Sequence, residues 1–254
     1  MGVRTVAKGE EAKQEILSRV SSTADPGRGE VIIHVWPLDM LDYDSVQTFA
    51  DRVNAEVNRL DYVILNAGVN PHTFKKSKYG FEMGLQINLM STTLLALLLL
   101  PKLKASRTSD FVPVLELVGS GTHARMSDLL PGTDDPERDP VQVYNTQESF
   151  DTFGFVQQYS LTKLYLMYVQ ENLVRLTRDH AGRPNTYVVV AGPGPTQSGL
   201  GRDMQEQPAH IRAAFYLFSA MMKTAEQGSR TLVSALVQGD RVHGKFWQWD
   251  TIER

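Results

Sequence analysis

Tyr159-Ser160-Leu161-Thr162-Lys163 sets a phenol and an ammonium four residues apart. On a helix that spacing puts both side chains on one face, one turn apart. A free phenol, with a pKa of about 10, exchanges protons poorly at neutral pH. A lysine cation held beside it favours the phenolate and is expected to draw that pKa toward the working range. The pair therefore suits proton transfer to and from alcohols and carbonyls; a solvated helix face is the competing reading. Other chemistries fare worse. His123 lies three residues past Ser120, but Gly119-Ser120-Gly121 is too compressed for the Gly-x-Ser-x-Gly elbow of a hydrolase. The six histidines show no His-Glu-x-x-His spacing, so no metal site is expected. With no cysteine, thiol nucleophiles, disulfides and Cys-type zinc sites drop out.

The elements that must position this pair alternate along the chain. Residues 8–20 are charged and helical. Residues 31–38 are β-branched and read as a strand. Asp42 or Asp44 could cap a helix running to about residue 60. Tyr62-Val63-Ile64-Leu65 reads as a buried strand, residues 80–104 as a helix, and 112–118 as the next strand. A polar, Pro- and Asp-rich stretch over 127–149 precedes the helix of Tyr159, which runs to about residue 179. Residues 186–190 form another strand. Thr224-Ala225-Glu226-Gln227 is a capping box that starts a helix to about residue 237, and 242–247 could form a last strand. Strict alternation predicts an α/β fold: a Rossmann-like, doubly wound parallel sheet covered on both faces. In such sheets ligands bind at the carboxyl ends of the strands. Asp39, Asn66-Ala67-Gly68, Ser120 and residues 192–198 each come just after a strand, which points to one shared site.

The 254 residues suffice for one domain, 1–254, and show neither repeat nor linker. A composition of 42% hydrophobic and 22% charged residues is that of an ordinary globular chain. The formal net charge of -3 gives no electrostatic case for nucleic acid. The longest apolar run, residues 94–100, ends at Pro101 and is too short to span a bilayer, so it reads as a buried helix. Residues 1–8 lack a signal-peptide core, and a cytoplasmic location is expected.

Taken in order, these clusters resemble the short-chain dehydrogenase/reductase family along nearly the whole chain. In that family an Asn-Ala-Gly turn comes after the fourth strand, as at Asn66-Ala67-Gly68, and a helical Asn comes some twenty residues on, as at Asn88. A Ser ends the fifth strand (Ser120), the Tyr-x-x-x-Lys motif is next, and Pro193-Gly194 with Ser198 match the close of the sixth. The stretch from Glu226-Gln227-Gly228 to Gly244-Lys245-Phe246 looks most like fungal members of the retinol-dehydrogenase-like branch. The resemblance implies an NADP(H)-dependent oxidoreductase interconverting a ketone and a secondary alcohol in specialised metabolism. It implies that Tyr159 is the acid or base, that Lys163 lowers its pKa and holds the nicotinamide ribose, and that Ser120 polarises the substrate oxygen. Asn88 would hold a relay water. Asp39, with Met40 beside it, would meet the adenine amine, unless Asp39 only caps a helix. Ser198 would contact the nicotinamide amide. Arg4 matches a position that meets the adenosine 2′-phosphate in NADP-preferring relatives, which favours NADP(H) over NAD(H).

The family also opens with a strand, a glycine-rich turn and a helix whose N-terminus binds the pyrophosphate. The first residues here resemble the end of the family's second strand, so the first β-α-β unit is expected to be missing. Three readings are open: a truncated gene model, a degenerate member that uses the tetrad for isomerisation, dehydration or cyclisation, or a non-catalytic binding protein. Tyr144, Phe150, Phe153 and Phe155, within 127–155, are expected to cover a bulky, partly apolar substrate. Residues 200–222 are expected to form a lid. A homodimer paired through the helices of Asn88 and Tyr159 is what the resemblance implies for assembly.

Overall fold

The structure is a computed structural model and describes residues 1–22, 29–126, 139–200 and 208–253. Two sheets are present. Strand β1 (Gly2–Val3) pairs in parallel with β2 (Trp36–Pro37), bridged by α1 (Val6–Ser22). The second sheet runs β3 (Tyr62–Leu65), β4 (Val114–Val118), β5 (Tyr187–Gly192), β6 (Phe246–Gln248), β7 (Thr251–Glu253). Its first four strands are parallel, and β7 returns antiparallel to β6. The doubly wound α/β expectation holds, with β7 an addition that the pattern of residues did not announce.

Two strand expectations are corrected. Of residues 31–38 only Trp36–Pro37 is strand, because β1 offers just two residues to pair with; Ile32 is exposed. Strand β3 is not buried on both faces. Val63 and Leu65 enter the core, but Tyr62 and Ile64 are 44% and 40% exposed, since β3 is an edge strand.

Helix α2 (Tyr43–Glu56) begins at Asp42, whose carboxylate accepts from Asp44 N at 3.2 Å. A π-helical segment, Leu85–Ser91, leads directly into α3 (Thr92–Ala105), and Thr92 Oγ1 donates to Ile87 O. Residues 85–105 are long and apolar enough to cross a bilayer. Yet 61% of that stretch is buried in the protein, and Leu95, Ala96, Leu99, Leu100 and Leu103 join the main core, so it is a core helix. Helices α4 (Pro140–Tyr144) and α5 (Gln147–Leu176) come next, α5 bending at Gly154 (φ 73°). Helix α6 (Ala209–Ser219) lies within the expected lid, of which residues 201–207 fall outside the described residues. Helix α7 (Ala225–Leu236) starts from the capping box, with both of its bonds formed.

The main core fills the face shared by α2, α3 and α5, where Leu115, Leu117, Val188 and Val190 meet Leu99, Leu103, Leu166 and Leu173. The opposite face of β4 and β5 packs on α7 through Val114, Val189, Leu232 and Ala235. Alternation along β4 thus sends Leu115 and Leu117 one way and Val114 and Glu116 the other.

Candidate active site

The carboxyl ends of β3 and β4, with α5 laid across them, form the centre. Residue 118 ends β4, so Ser120 stands just past the sheet, on a short 3₁₀ turn (Gly121–Met126) packed against α5. Ser120 Oγ accepts from Thr122 Oγ1 at 3.1 Å and itself donates to the Tyr159 phenol. Lys163 is buried one turn further along α5. Its ammonium donates to Val118 O at 2.8 Å and lies 5.5 Å from the centre of the Tyr159 ring. A side chain at Gly68, in the turn after β3, would sit 3.7 Å from Lys163 Nζ and 3.5 Å from Asn88 Oδ1, so the glycine keeps this pocket open.

Electrostatics correct the sequence expectation. Lys163 does not draw the Tyr159 pKa down. Burial dominates both groups: it raises the Tyr159 phenol to about 12, against a smaller opposing effect of the Ser120 hydrogen bond, and lowers Lys163 to about 8. The cation is spent on a backbone carbonyl at the floor rather than on the phenolic oxygen.

Asn88 is buried and its carboxamide makes three hydrogen bonds. Its Oδ1 accepts from Val69 N at 2.8 Å, and its Nδ2 donates to Val69 O at 2.9 Å and to Thr162 Oγ1 at 3.0 Å. It therefore clamps the turn after β3 to the helix of Tyr159. Both amide hydrogens are thus taken, while Oδ1, with one bond made, keeps a second lone pair open. Thr162 escaped the sequence reading, although its place within Tyr-x-x-x-Lys was the available signal. Thr122, two residues past Ser120, was missed likewise.

Other expected residues stand at strand ends without direct contact to this group. Asn66 and Ala67 are exposed after β3; Pro193 and Gly194 come after β5, and Ser198 is exposed beyond them. Exposed Arg4 comes after β1. Asp39 lies past β2, and its carboxylate caps the turn by accepting from Leu41 N at 2.9 Å. Met40 is buried, and its carbonyl accepts from Ser91 Oγ at 2.6 Å, tying the small sheet to the π-helical segment. His123 turns Nδ1 to the Ser120 carbonyl, not its hydroxyl, and rests edge-on against Phe246.

The aromatics of 127–155 divide. Tyr144 and Phe153 pack in a second core cluster with Leu85, Leu161 and Leu164. Phe150 and Phe155 line a cavity of about 10 Å³ that Tyr159, Asn88, Glu82 and Gln158 also line. Residues 127–138 fall outside the described residues.

The model of a family described as short chain dehydrogenase matches residues 1–125. The short-chain dehydrogenase/reductase ffsI of Aspergillus flavipes is 38% identical over 255 residues, covering 99% of this chain and 69% of that protein. The chain belongs to the short-chain dehydrogenase/reductase family. The family member phmF of Phaeosphaeria nodorum is 36% identical over 253 residues, again covering 99% of this chain and 69% of the relative. Among solved structures, the Pseudomonas aeruginosa RhlG/NADP active-site complex matches with a TM-score of 0.62 at 18% identity, covering 98% of this chain and 83% of that one. An NADPH-bound carbonyl reductase from chicken fatty liver matches at 0.59 and 16%, covering 93% and 80%. These two show the fold. As a family member the chain is an oxidoreductase by kinship, binding a small-molecule substrate with a nicotinamide cofactor.

Proposed function

We propose that this chain is an NADP(H)-dependent oxidoreductase that interconverts a ketone and a secondary alcohol, acting on a bulky, partly apolar specialised metabolite. The hydrogen-bonded Ser120–Tyr159 pair beside buried Lys163 carries this reading, and the fungal relatives support it. The residues fit the nicotinamide half of the cofactor: Gly68 keeps space beside buried Lys163, whose ammonium stands at the end of β4. Lys163 would hold the ribose, Ser198 the carboxamide, and Asn66, Ala67 and Pro193 would line the cleft. Arg4, Asp39 and Met40 would serve the adenosine half. The bound cofactor supplies or receives the hydride. Ser120 holds the carbonyl oxygen. Tyr159, protonated at neutral pH because its pKa stands near 12, hands that oxygen its proton, which suits the reducing direction.

A second reading keeps the same acid/base group for non-redox isomerisation, dehydration or cyclisation. It rests on the Ser120–Tyr159–Lys163 group alone, which needs no nicotinamide to move protons. Calorimetric titration with NADPH separates the two: saturable micromolar binding is expected, and its absence overturns the redox reading for this chain. A cytoplasmic location and a homodimer belong to the same proposal. The homodimer is supported by an apolar groove of about 400 Å³ between α3 and α5, with exposed Leu97, Tyr168 and Leu176 in its wall.

A further inference from the structure

Three parallel strands, β4, β5 and β6, end side by side, and the segment after each is unusual. Past β4 come Ser120 and Gly121; past β5, Pro193 and Gly194. Past β6 the chain reverses through Trp249 and Asp250 alone, since Gln248 pairs with Thr251. Both turn residues sit at positive φ (55° and 56°), the only non-glycine residues to do so among those described. A two-residue hairpin with this twist ordinarily takes Asn-Gly or Asp-Gly, and a bulky side chain there is strained. A network holds the strain in place: Ser234 Oγ donates to Asp250 Oδ1 at 2.6 Å and accepts from Trp247 Nε1 at 3.0 Å.

The strained turn delivers two side chains to the strand ends. Trp249 remains 50% exposed. Its benzo edge meets Gly194, where a Cβ would lie 2.9 Å from the ring, and the Lys223 ammonium stands 3.9 Å over its centre. Gln248 is only 7% exposed, yet its carboxamide makes no hydrogen bond among the described residues. It occupies a slot that two glycines leave free: a Cβ at Gly121 would fall 2.7 Å from Oε1, and one at Gly192 would fall 3.1 Å from Nε2. Gly121 follows Ser120 in the chain, so this unpartnered amide stands at the same strand end as the group that would hold the substrate oxygen.

We propose that the β6–β7 hairpin is the substrate-recognition wall, with Trp249 stacking a planar conjugated ring and Gln248 hydrogen-bonding an oxygen carried on that ring. The substrate class is then an oxygenated aromatic or conjugated ketone or alcohol rather than a saturated one. The inference rests on the oxidoreductase reading for its reaction but is tested by binding alone. The probes are 6-hydroxy-1-tetralone and 1-decalone, a saturated bicycle of the same skeleton, titrated calorimetrically into the 254-residue chain. The tetralone is expected to bind about tenfold more tightly, the range of one aromatic contact. Trp249→Phe should keep most of that preference and Trp249→Gly should lose it. Glycine also relieves the positive φ, so Trp249→Gly should melt no lower than the parent, which separates loss of the ring from loss of the fold. Gln248→Leu should weaken the tetralone several-fold and leave the decalone unchanged. Equal binding of the two probes, or an undiminished preference in Trp249→Gly, overturns the proposal. Preferential binding without NADPH-dependent turnover in the parent would count against the redox reading and leave this one standing.

Discussion

Tyr159 and Lys163 were legible from their spacing, and the helix does set them one turn apart. Their charge states were not legible, because these depend on burial. With the phenol near 12, Tyr159 is a donor at neutral pH, and its removal is felt in the proton-transfer step. Tyr159→Phe is expected to cut turnover by about 10²- to 10⁴-fold with an unchanged circular dichroism spectrum; full activity in that variant would dismiss the acid role. Lys163 gives a pH signature that needs no substrate. Its folded pKa, near 8, lies below its ordinary 10.5, so between those values the unfolded chain binds the extra proton. Stability from this group is present above about 10.5 and is lost as pH falls through about 8. Urea unfolding from about pH 7.5 to about pH 10 should therefore show a rising contribution that Lys163→Met abolishes. Asn88 was found by sequence, but a motif position does not say which partners its carboxamide takes. Here Val69 and Thr162 take both amide hydrogens and Val69 one lone pair of Oδ1.

Among the elements, β4 holds the sharpest test. Glu116 points to the α7 face of the sheet, is fully buried, and neither carboxylate oxygen finds a hydrogen-bond partner among the described residues. Desolvation raises its pKa from 4.5 to about 8. The folded state thus holds the proton more firmly than the unfolded one. The associated stability is intact below about 4.5 and is lost as pH rises through about 8. Glu116→Gln is expected to match the parent near pH 4.5 and to exceed it on the order of 3 kcal/mol at pH 8, measured by denaturant unfolding. At the start of α7 the capping box makes a local prediction. Thr224→Ala should cost about 1 kcal/mol, since the Gln227 N–H loses its side-chain partner. Helix starts of this kind are written in a few adjacent residues, which is why Thr224, and Asp42 as one of two candidate caps, were readable in advance. Strand lengths are not, because a strand extends only as far as its partner does. Residues 31–38 carry a strand-like composition, yet β2 stops at two residues beside a two-residue β1.

At the scale of the whole molecule, the α3–α5 groove sets an assembly test. If it is the homodimer face, Leu97→Asp with Leu176→Asp should halve the mass seen by light scattering; an unchanged mass, or a monomeric parent, removes the proposal. The same scale shows what the sequence could and could not settle. By itself it determined the alternation of strands and helices, the parallel sheet and the family. These come from hydrophobic period, turn residues and ordered motifs, all local in the chain. Only the tertiary structure decided that the strands fall into two sheets, leaving Tyr62 and Ile64 on an open edge. It alone buried the phenol, which raises its pKa, and turned the Asn88 amide hydrogens to Val69 and Thr162. It also brought Gln248 beside Gly121 and Trp249 beside Gly194, with more than fifty residues of chain between Gly194 and the hairpin. Desolvation, hydrogen-bond saturation and the meeting of distant strand ends are properties of neighbours in space, and sequence order does not encode them.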